Sequence, residues 1–391
     1  MMHLFINGLA ATTGGGITYI RNLLPHLALY PCVRITAVVS PQLHREVQGF
    51  AQVKFLQLQI PPARRFWYEQ RVLPAVIRRA GADVLLSAGN FALRKSPVPQ
   101  ILLSRNSIYT SPDYYRDLLA RREYRMWIDT RMRAILAKKS VQWADVTVAP
   151  SRVFAEDLRR WTGADVMAIH HGFDREAFTR DSGSLSPNVQ SKLDKAGGSL
   201  KLLFVSHYNY YRNFETLLRS LPPLRQQLPD RSIKLLLTCQ LEEGKNPGAY
   251  RPSAAARLIQ ELGLSDTVLE LGTVPYQQLH HLYSTTDIYV TPAYTETFAH
   301  PLVEAMACGV PIVASDITVH REICENAALF FDRFSPEGLA KSIVQCASET
   351  STRNRMIAEG LKRSQDFSWK AHTEQILALA QGLLDSHRQS T

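Results

Sequence analysis

Short, continuously apolar runs of strand length alternate with longer segments of helical period along the whole chain. The runs fall at residues 4–7, 34–39, 84–87, 100–104, 146–149 and 167–170. After a polar stretch at 179–198, rich in Ser, Gly, Pro and Asp, they resume at 201–205, 233–238, 268–271, 288–291, 311–314 and 328–331. Strand–helix–strand repetition with wholly apolar strands predicts a parallel sheet covered on both faces, here built twice. The polar stretch reads as a linker. A last segment, 367–384, carries Trp369, Ile376, Leu377, Leu379, Ala380 and Leu383 near helical spacing and predicts a closing helix.

A length of 391 residues fits two domains of ordinary size. The expected division is 1–180, 181–366 and the closing segment 367–391, an α/β architecture of two Rossmann-like doubly wound sheets. Ligands of such sheets bind at the carboxyl ends of the strands, so a central cleft faced by both is the expected site. No apolar stretch reaches the roughly 18 residues of a membrane span. The N-terminus has no basic leader and runs into Gly14, Gly15 and Gly16, so it reads as a first strand and not as a signal peptide. Five scattered cysteines without a C-x-x-C pair argue against a disulfide framework or a zinc site. The expected location is cytoplasmic, at or near the inner face of the membrane.

The net charge of +10 is uneven: residues 1–180 hold 25 Lys and Arg against 13 Asp and Glu. Arg64, Arg65, Arg71, Arg78 and Arg79, then Arg116, Arg121, Arg122, Arg125, Arg131, Arg133, Lys138 and Lys139, are interleaved with Phe66, Trp67, Tyr68, Tyr124 and Trp127. That basic and aromatic surface suits an anionic membrane leaflet or a phosphate-bearing acceptor. A solvated helix face explains the charge equally well. No recognised nucleic-acid module accompanies it, so nucleic acid is not an expected partner.

The most informative stretch runs from Thr291 to Asp316, TPAYTETFAHPLVEAMACGVPIVASD. A strand ends near Thr291, a loop carries Glu296, Pro301 opens a short helix, and Gly309 closes it. Glu304 then falls in the first turn of that helix, eight residues after Glu296, so the two carboxylates meet different parts of one elongated ligand. The first amides of the helix offer donors to an anion such as a diphosphate. An isolated pair of glutamates at this spacing would ordinarily only cap and solvate.

With its surroundings, the stretch closely resembles the signature of the retaining glycosyltransferases of family 4, glycosyl transferases group 1, which have the GT-B fold. The resemblance spans nearly the whole chain. It implies that Glu296 binds the hydroxyls of the donor sugar and Glu304 the ribose of the nucleotide. It also implies that the backbone around Phe298, Ala299, His300, Pro301 and Leu302 approaches sugar and phosphates, and that the strand end at Val274 reads the base. A second match lies at 204–218, where the family places Gly-Arg and then Lys to neutralise the diphosphate. Here Ser206-His207 and Arg212 stand at those positions. Arg212 can do the work of the lysine, while His207 is a weaker, pH-dependent cation.

On the acceptor side, Gly14, Gly15 and Gly16 resemble the glycine-rich loop of the family. Arg105 and Asn106 stand where relatives carry a histidine next to Asp or Asn, and are expected to orient acceptor or sugar. Ser151 matches a helix start, and the charges of Val319-His320-Arg321-Glu322 are expected to fix a loop. No Asp-x-Asp occurs in the chain, so a metal-independent site with no cofactor is expected, the donor being a substrate. The implied function is transfer of a hexose from a nucleotide-diphosphate sugar to a saccharide or lipid-linked acceptor in cell-surface polysaccharide synthesis. Relatives of the His-Arg-Glu type suggest GDP-mannose as donor. The alternatives are a sugar-nucleotide epimerase and a catalytically silent binding subunit.

Overall fold

The computed structural model describes residues 1–391 apart from Thr13, Gly14, Gln48, Ala51, Ser182 and Thr391. The chain forms two compact units: Met1–Ser111, Leu118–Gly172 and Ser368–Thr391 make one, Pro112–Asp117 and Phe173–Phe367 the other.

The first unit is built on strands β1 (Met2–Asn7), β2 (Val33–Val39), β3 (Val53–Gln57), β4 (Val84–Ser87), β5 (Gln100–Leu103), β6 (Val146–Ala149) and β7 (Met167–Ala168). They lie in the order β3-β2-β1-β4-β5-β6-β7, and the pairing is parallel throughout. β1 and β4 are wholly buried, as continuously apolar strands under two layers of helices must be. Leu4, Ile6, Val84 and Leu86 pack on one face with the helix Gly15–Leu27 and the C-terminal helix Trp369–Ser390. Phe5 and Leu85 pack on the other with Leu73 and Ile77. The segment read as a closing helix is thus a helix covering the first sheet. A Cβ on Gly172 would overlap the backbone of Trp369, so only glycine fits where that helix begins.

β3 is a strand that the pattern of apolar runs does not announce. Only Val53 of its five residues is buried, because it lies at the edge of the sheet, where alternation and charge replace a continuous apolar run.

The second unit repeats the plan with β8 (Leu200–Phe204), β9 (Ile233–Leu237), β10 (Val268–Glu270), β11 (Ile288–Thr291), β12 (Ile312–Ser315) and β13 (Ala328–Phe331). Their order is β10-β9-β8-β11-β12-β13, the doubly wound order of a Rossmann sheet. In such a sheet the strand order reverses between β8 and β11, which marks their carboxyl ends as the place where a ligand sits. The polar stretch after the first unit is more ordered than a linker. It contains the helix Pro187–Lys195, whose start is fixed by Ser186 Oγ accepting from Val189 N at 3.4 Å and by Pro187 in the first turn.

Candidate active site

The carboxyl end of β8 in the second unit carries the first group of polar residues. The Ser206 amide donates to Thr238 Oγ1 at 3.0 Å, tying the ends of β8 and β9. His207 follows, then a short turn that brings up Arg212. Asn213 takes a left-handed conformation, φ 56°, and its Nδ2 donates to the carbonyls of Pro292 at 3.2 Å and Arg333 at 2.6 Å. One buried amide therefore fastens the loops after β8, β11 and β13 together. The Tyr294 amide donates to the Tyr211 carbonyl at 3.1 Å, a further tie between the β8 and β11 loops.

This stitching pairs Arg212 Nη1 with Glu296 Oε1, two residues separated by 84 positions. Arg212 also lies over the Tyr211 ring, its Cζ 5.2 Å from the centroid and so within the roughly 6 Å reach of a cation–ring contact. Its Nε is buried without a hydrogen-bond partner. His207 is held below its ordinary pKa, first by burial and then by the Arg212 charge. It is therefore neutral at pH 7 in the ligand-free protein.

After Glu296 the chain enters the helix His300–Ala307 through Ala299, in a left-handed conformation with φ 63° and no side-chain cap. That conformation costs a non-glycine residue roughly 1 kcal/mol or more. Because the helix begins at His300, one residue before Pro301, Glu304 is its fifth residue and lies beyond the first turn. Glu304 is 3% exposed, and its Oε2 accepts from Tyr283 Oη at 2.9 Å. Phe298 is buried against Phe367, with ring centroids 5.4 Å apart. Pro301 and Leu302 lie in the first turn, and Val274 lies after β10, two residues beyond Gly272, whose φ is 80°.

His320 is fully buried in the helix Thr318–Cys324. Its Nδ1 donates to the Ser315 carbonyl at 2.9 Å, which leaves Nε2 as a lone-pair acceptor, and Nε2 has no partner. Burial, with the Arg212 charge added, lowers its pKa to about 4. Arg321 fixes the loop as its charge implied, pairing Asp316 through Nε at 2.5 Å and Nη2 at 2.7 Å. Residues 112–117 complete this end of the unit. Asp113 accepts from Arg333 Nε at 2.9 Å, and Asp117 from Tyr294 Oη at 2.8 Å. A cavity of about 420 Å³, bordered by Leu200, Asp287 and Ile288, opens at the amino ends of β8 and β11, away from these residues.

In the first unit, Gly14 lies outside the described residues. Gly15 begins the first helix, and a Cβ on Gly16 would come within 3.1 Å of Ala11 Cα. Arg105 spends its fork on the protein: Nη1 donates to the Gly15 carbonyl at 2.8 Å and Nη2 to the Ala88 carbonyl at 2.6 Å. It also stacks over Tyr19, 5.1 Å from the ring, and burial lowers its pKa to about 10. Asn106 caps a short turn, its Oδ1 accepting from the Ile108 amide at 3.3 Å. Ser151 caps the helix Arg152–Thr162. Sequence reasoning passed over one pair. Glu69, 4% exposed, accepts from Asn7 Nδ2 at 3.1 Å at the carboxyl end of β1. Nothing in a helix written PARRFWYEQR singles out that carboxylate.

Residues 186–363 match the family described as "Glycosyl transferases group 1" and residues 13–177 the one described as "Glycosyltransferase Family 4". The chain belongs to the group 1 glycosyltransferases and has the GT-B fold, with its two Rossmann-like units. It is 24% identical over 258 residues to a D-inositol 3-phosphate glycosyltransferase of Corynebacterium glutamicum, covering 64% of this chain and 60% of that one. It is 36% identical over 107 residues to O-antigen chain mannosyltransferase B of Escherichia coli, covering 27% and 28%. The matches thus span less than two thirds of the length of these curated relatives. Among solved structures, the Anabaena protein Alr3699/HepE in complex with UDP-glucose superposes with a TM-score of 0.71 at 17% identity, covering 98% of this chain and 100% of that one.

Proposed function

We propose that the protein transfers a hexosyl group from a nucleotide-diphosphate sugar to a saccharide or lipid-linked acceptor, with retention of anomeric configuration and without a metal. The observation that carries the reading is the Arg212–Glu296 pair at the reversal point of the second sheet, beside the uncapped start of the helix His300–Ala307. Glu296 offers a carboxylate to the hydroxyls of the donor sugar, each charged hydrogen bond being worth roughly 1.5 to 3 kcal/mol. Arg212 faces the diphosphate, with the helix amides as preorganised donors. Glu304 shares its position with Tyr283 and receives the ribose, and the backbone at Val274 reads the base.

With Arg212 already compensated by Glu296, the leaving diphosphate needs a second cation, and His207 supplies it by taking a proton when phosphate arrives. In the transfer, the acceptor oxygen bonds to the anomeric carbon on the face that the phosphate leaves. The anomeric carbon–oxygen bond breaks, its electron pair stays on the nucleoside diphosphate, and a phosphate oxygen takes the proton of the acceptor. Absence of any Asp-x-Asp supports a reaction without metal. The mannosyltransferase relative favours mannose as the sugar, and the UDP-glucose complex favours a uridine donor.

Thermal unfolding with UDP, GDP and ADP and their hexose conjugates, in a chelator, tests this, since a ligand of the folded state raises the melting temperature. A rise with one base, lost in Glu304→Ala, is the expected result. No rise with any of them would overturn the reading.

A further inference from the structure

The helix Tyr124–Trp143 in the first unit is amphipathic in an unusual sense. Its inward side is made of small residues, with Thr130, Ala134, Ala137, Ser140 and Val141 buried. Ala134 and Ala137 pack with Tyr109, Phe91 and Trp161. The large apolar side chains point outward: Tyr124 is 58% exposed, Ile128 57%, Met132 63% and Ile135 56%. Steps of four, four and three residues set these four on one stripe of the helix, about 16 Å long at 1.5 Å per residue. Soluble surfaces seldom keep such a stripe unless something covers it.

The charges beside the stripe say what the cover is. By helical spacing, Arg131 and Lys138 flank it on one side and Arg125 on the other, while Lys139 falls within it near its C-terminal end. Arg131 lies over the Trp127 ring, its Cζ 5.0 Å from the centroid. The acidic residue on the exposed surface of the helix, Asp129, is paired with Arg133 at 2.7 Å. A second copy of the chain docked by twofold symmetry would set these cations against each other, which disfavours self-association. A polyanion such as DNA would meet the cations and leave the isoleucines in water. An anionic bilayer satisfies both, taking apolar side chains at the acyl boundary and cations at the headgroups.

We propose that Tyr124–Trp143 is an interfacial membrane anchor. Tyr124, Ile128, Met132 and Ile135 enter the boundary of an anionic leaflet, and Arg125, Arg131, Lys138 and Lys139 lie among its phosphates. Among the described residues no helix is long and apolar enough to cross a membrane, so this contact is peripheral. The inference deepens the functional reading by bringing a lipid-linked acceptor to the enzyme, yet its test involves no sugar transfer, so either can fail without the other.

The full chain is sedimented with vesicles of phosphatidylcholine alone or with about one third phosphatidylglycerol. The expected result is binding to the anionic vesicles, about tenfold or more tighter than to neutral ones and weakened by salt. The triple change Ile128→Ser, Met132→Ser and Ile135→Ser lowers binding to both by about tenfold or more. The triple change Arg125→Glu, Arg131→Glu and Lys139→Glu abolishes the preference for anionic lipid. All six side chains are outside the core, so the melting temperatures stay near that of the parent. Absence of vesicle binding by the parent, or binding unchanged in the serine variant, would overturn the proposal. So would retention on duplex DNA without vesicle binding, or a dimer in light scattering that the serine variant turns into a monomer.

Discussion

Arg212 and Glu296, separated by 84 positions in the chain, form an ion pair at the carboxyl ends of β8 and β11. Their side chains are 21% and 10% exposed, so each holds the other in place and neither acts alone. Glu296→Ala is expected to cost about 2 to 4 kcal/mol of transition-state stabilisation, about thirtyfold to a thousandfold in turnover, and Arg212→Ala a similar amount. Because the two share one interaction, the double variant should lose far less than the sum of the single losses. Steady-state kinetics of the four proteins would show this, and strict additivity would mean that the pair does not act as a unit.

Binding of a nucleotide sugar should fall as the pH rises, through His207. Burial and Arg212 keep this histidine below its ordinary pKa in the free protein, and a bound diphosphate raises it. The complex therefore carries a proton that the free protein lacks between those two values, and affinity is lost as pH passes upward through the bound value. The diphosphate of a nucleotide sugar has no group titrating near neutrality, so the slope belongs to the protein. Calorimetry in buffers of different ionisation enthalpy should detect proton uptake, and His207→Gln should abolish it.

Sequence legibility followed burial. Strands such as β4, β6 and β11 were readable residue for residue, because a buried parallel strand is a nearly unbroken apolar run. β3 was not, since its outer face is solvated and its inner face contributes only Val53. The helix around Pro301 was legible from Pro and Gly, but its start was displaced by a left-handed Ala299, a conformation that no side-chain pattern announces. Glu296 and Arg212 were readable as separate polar residues after two strand ends. That they pair with each other depends on Asn213 drawing three loops together, a long-range relation absent from local spacing. Arg105 shows the converse: a cation after a strand reads as a ligand group, yet burial has turned its fork onto two carbonyls.

Arg105→Lys should therefore act first on stability. An ammonium cannot reach the carbonyls of Gly15 and Ala88 together as the guanidinium fork does. The loss should be about 1 to 2 kcal/mol, most of it from the part-buried contact to the Ala88 carbonyl, since the Gly15 carbonyl is exposed and can turn to water. Urea unfolding measures it, and binding of nucleoside diphosphate, which is proposed for the second unit, should be unchanged. A variant as stable as the parent would show that the two contacts contribute nothing net.

The C-terminal helix should loosen in acid, because His372 is buried neutral. Its Nδ1 donates to the His170 carbonyl at 2.8 Å, and its Nε2 accepts from Tyr19 Oη at 3.1 Å. A proton on Nε2 would break the second bond and place a charge among Tyr19, His171 and Trp369, whose rings lie within 6 Å of the imidazole. Burial lowers the folded pKa to about 4, whereas the unfolded chain takes its proton near 6.5. Between these values the unfolded state binds more protons, so stability falls as pH drops from about 6.5 to about 4, and flattens below that. The full difference is on the order of 3 kcal/mol from this residue. Hydrogen exchange in the helix Trp369–Ser390 reports the local opening across that window. His372→Asn, which keeps a donor for the His170 carbonyl but has no proton to gain, should open more readily at pH 7 and show a slope shallower by about 1.4 kcal/mol per pH unit. An undiminished acid slope in that variant would assign the titration to another group.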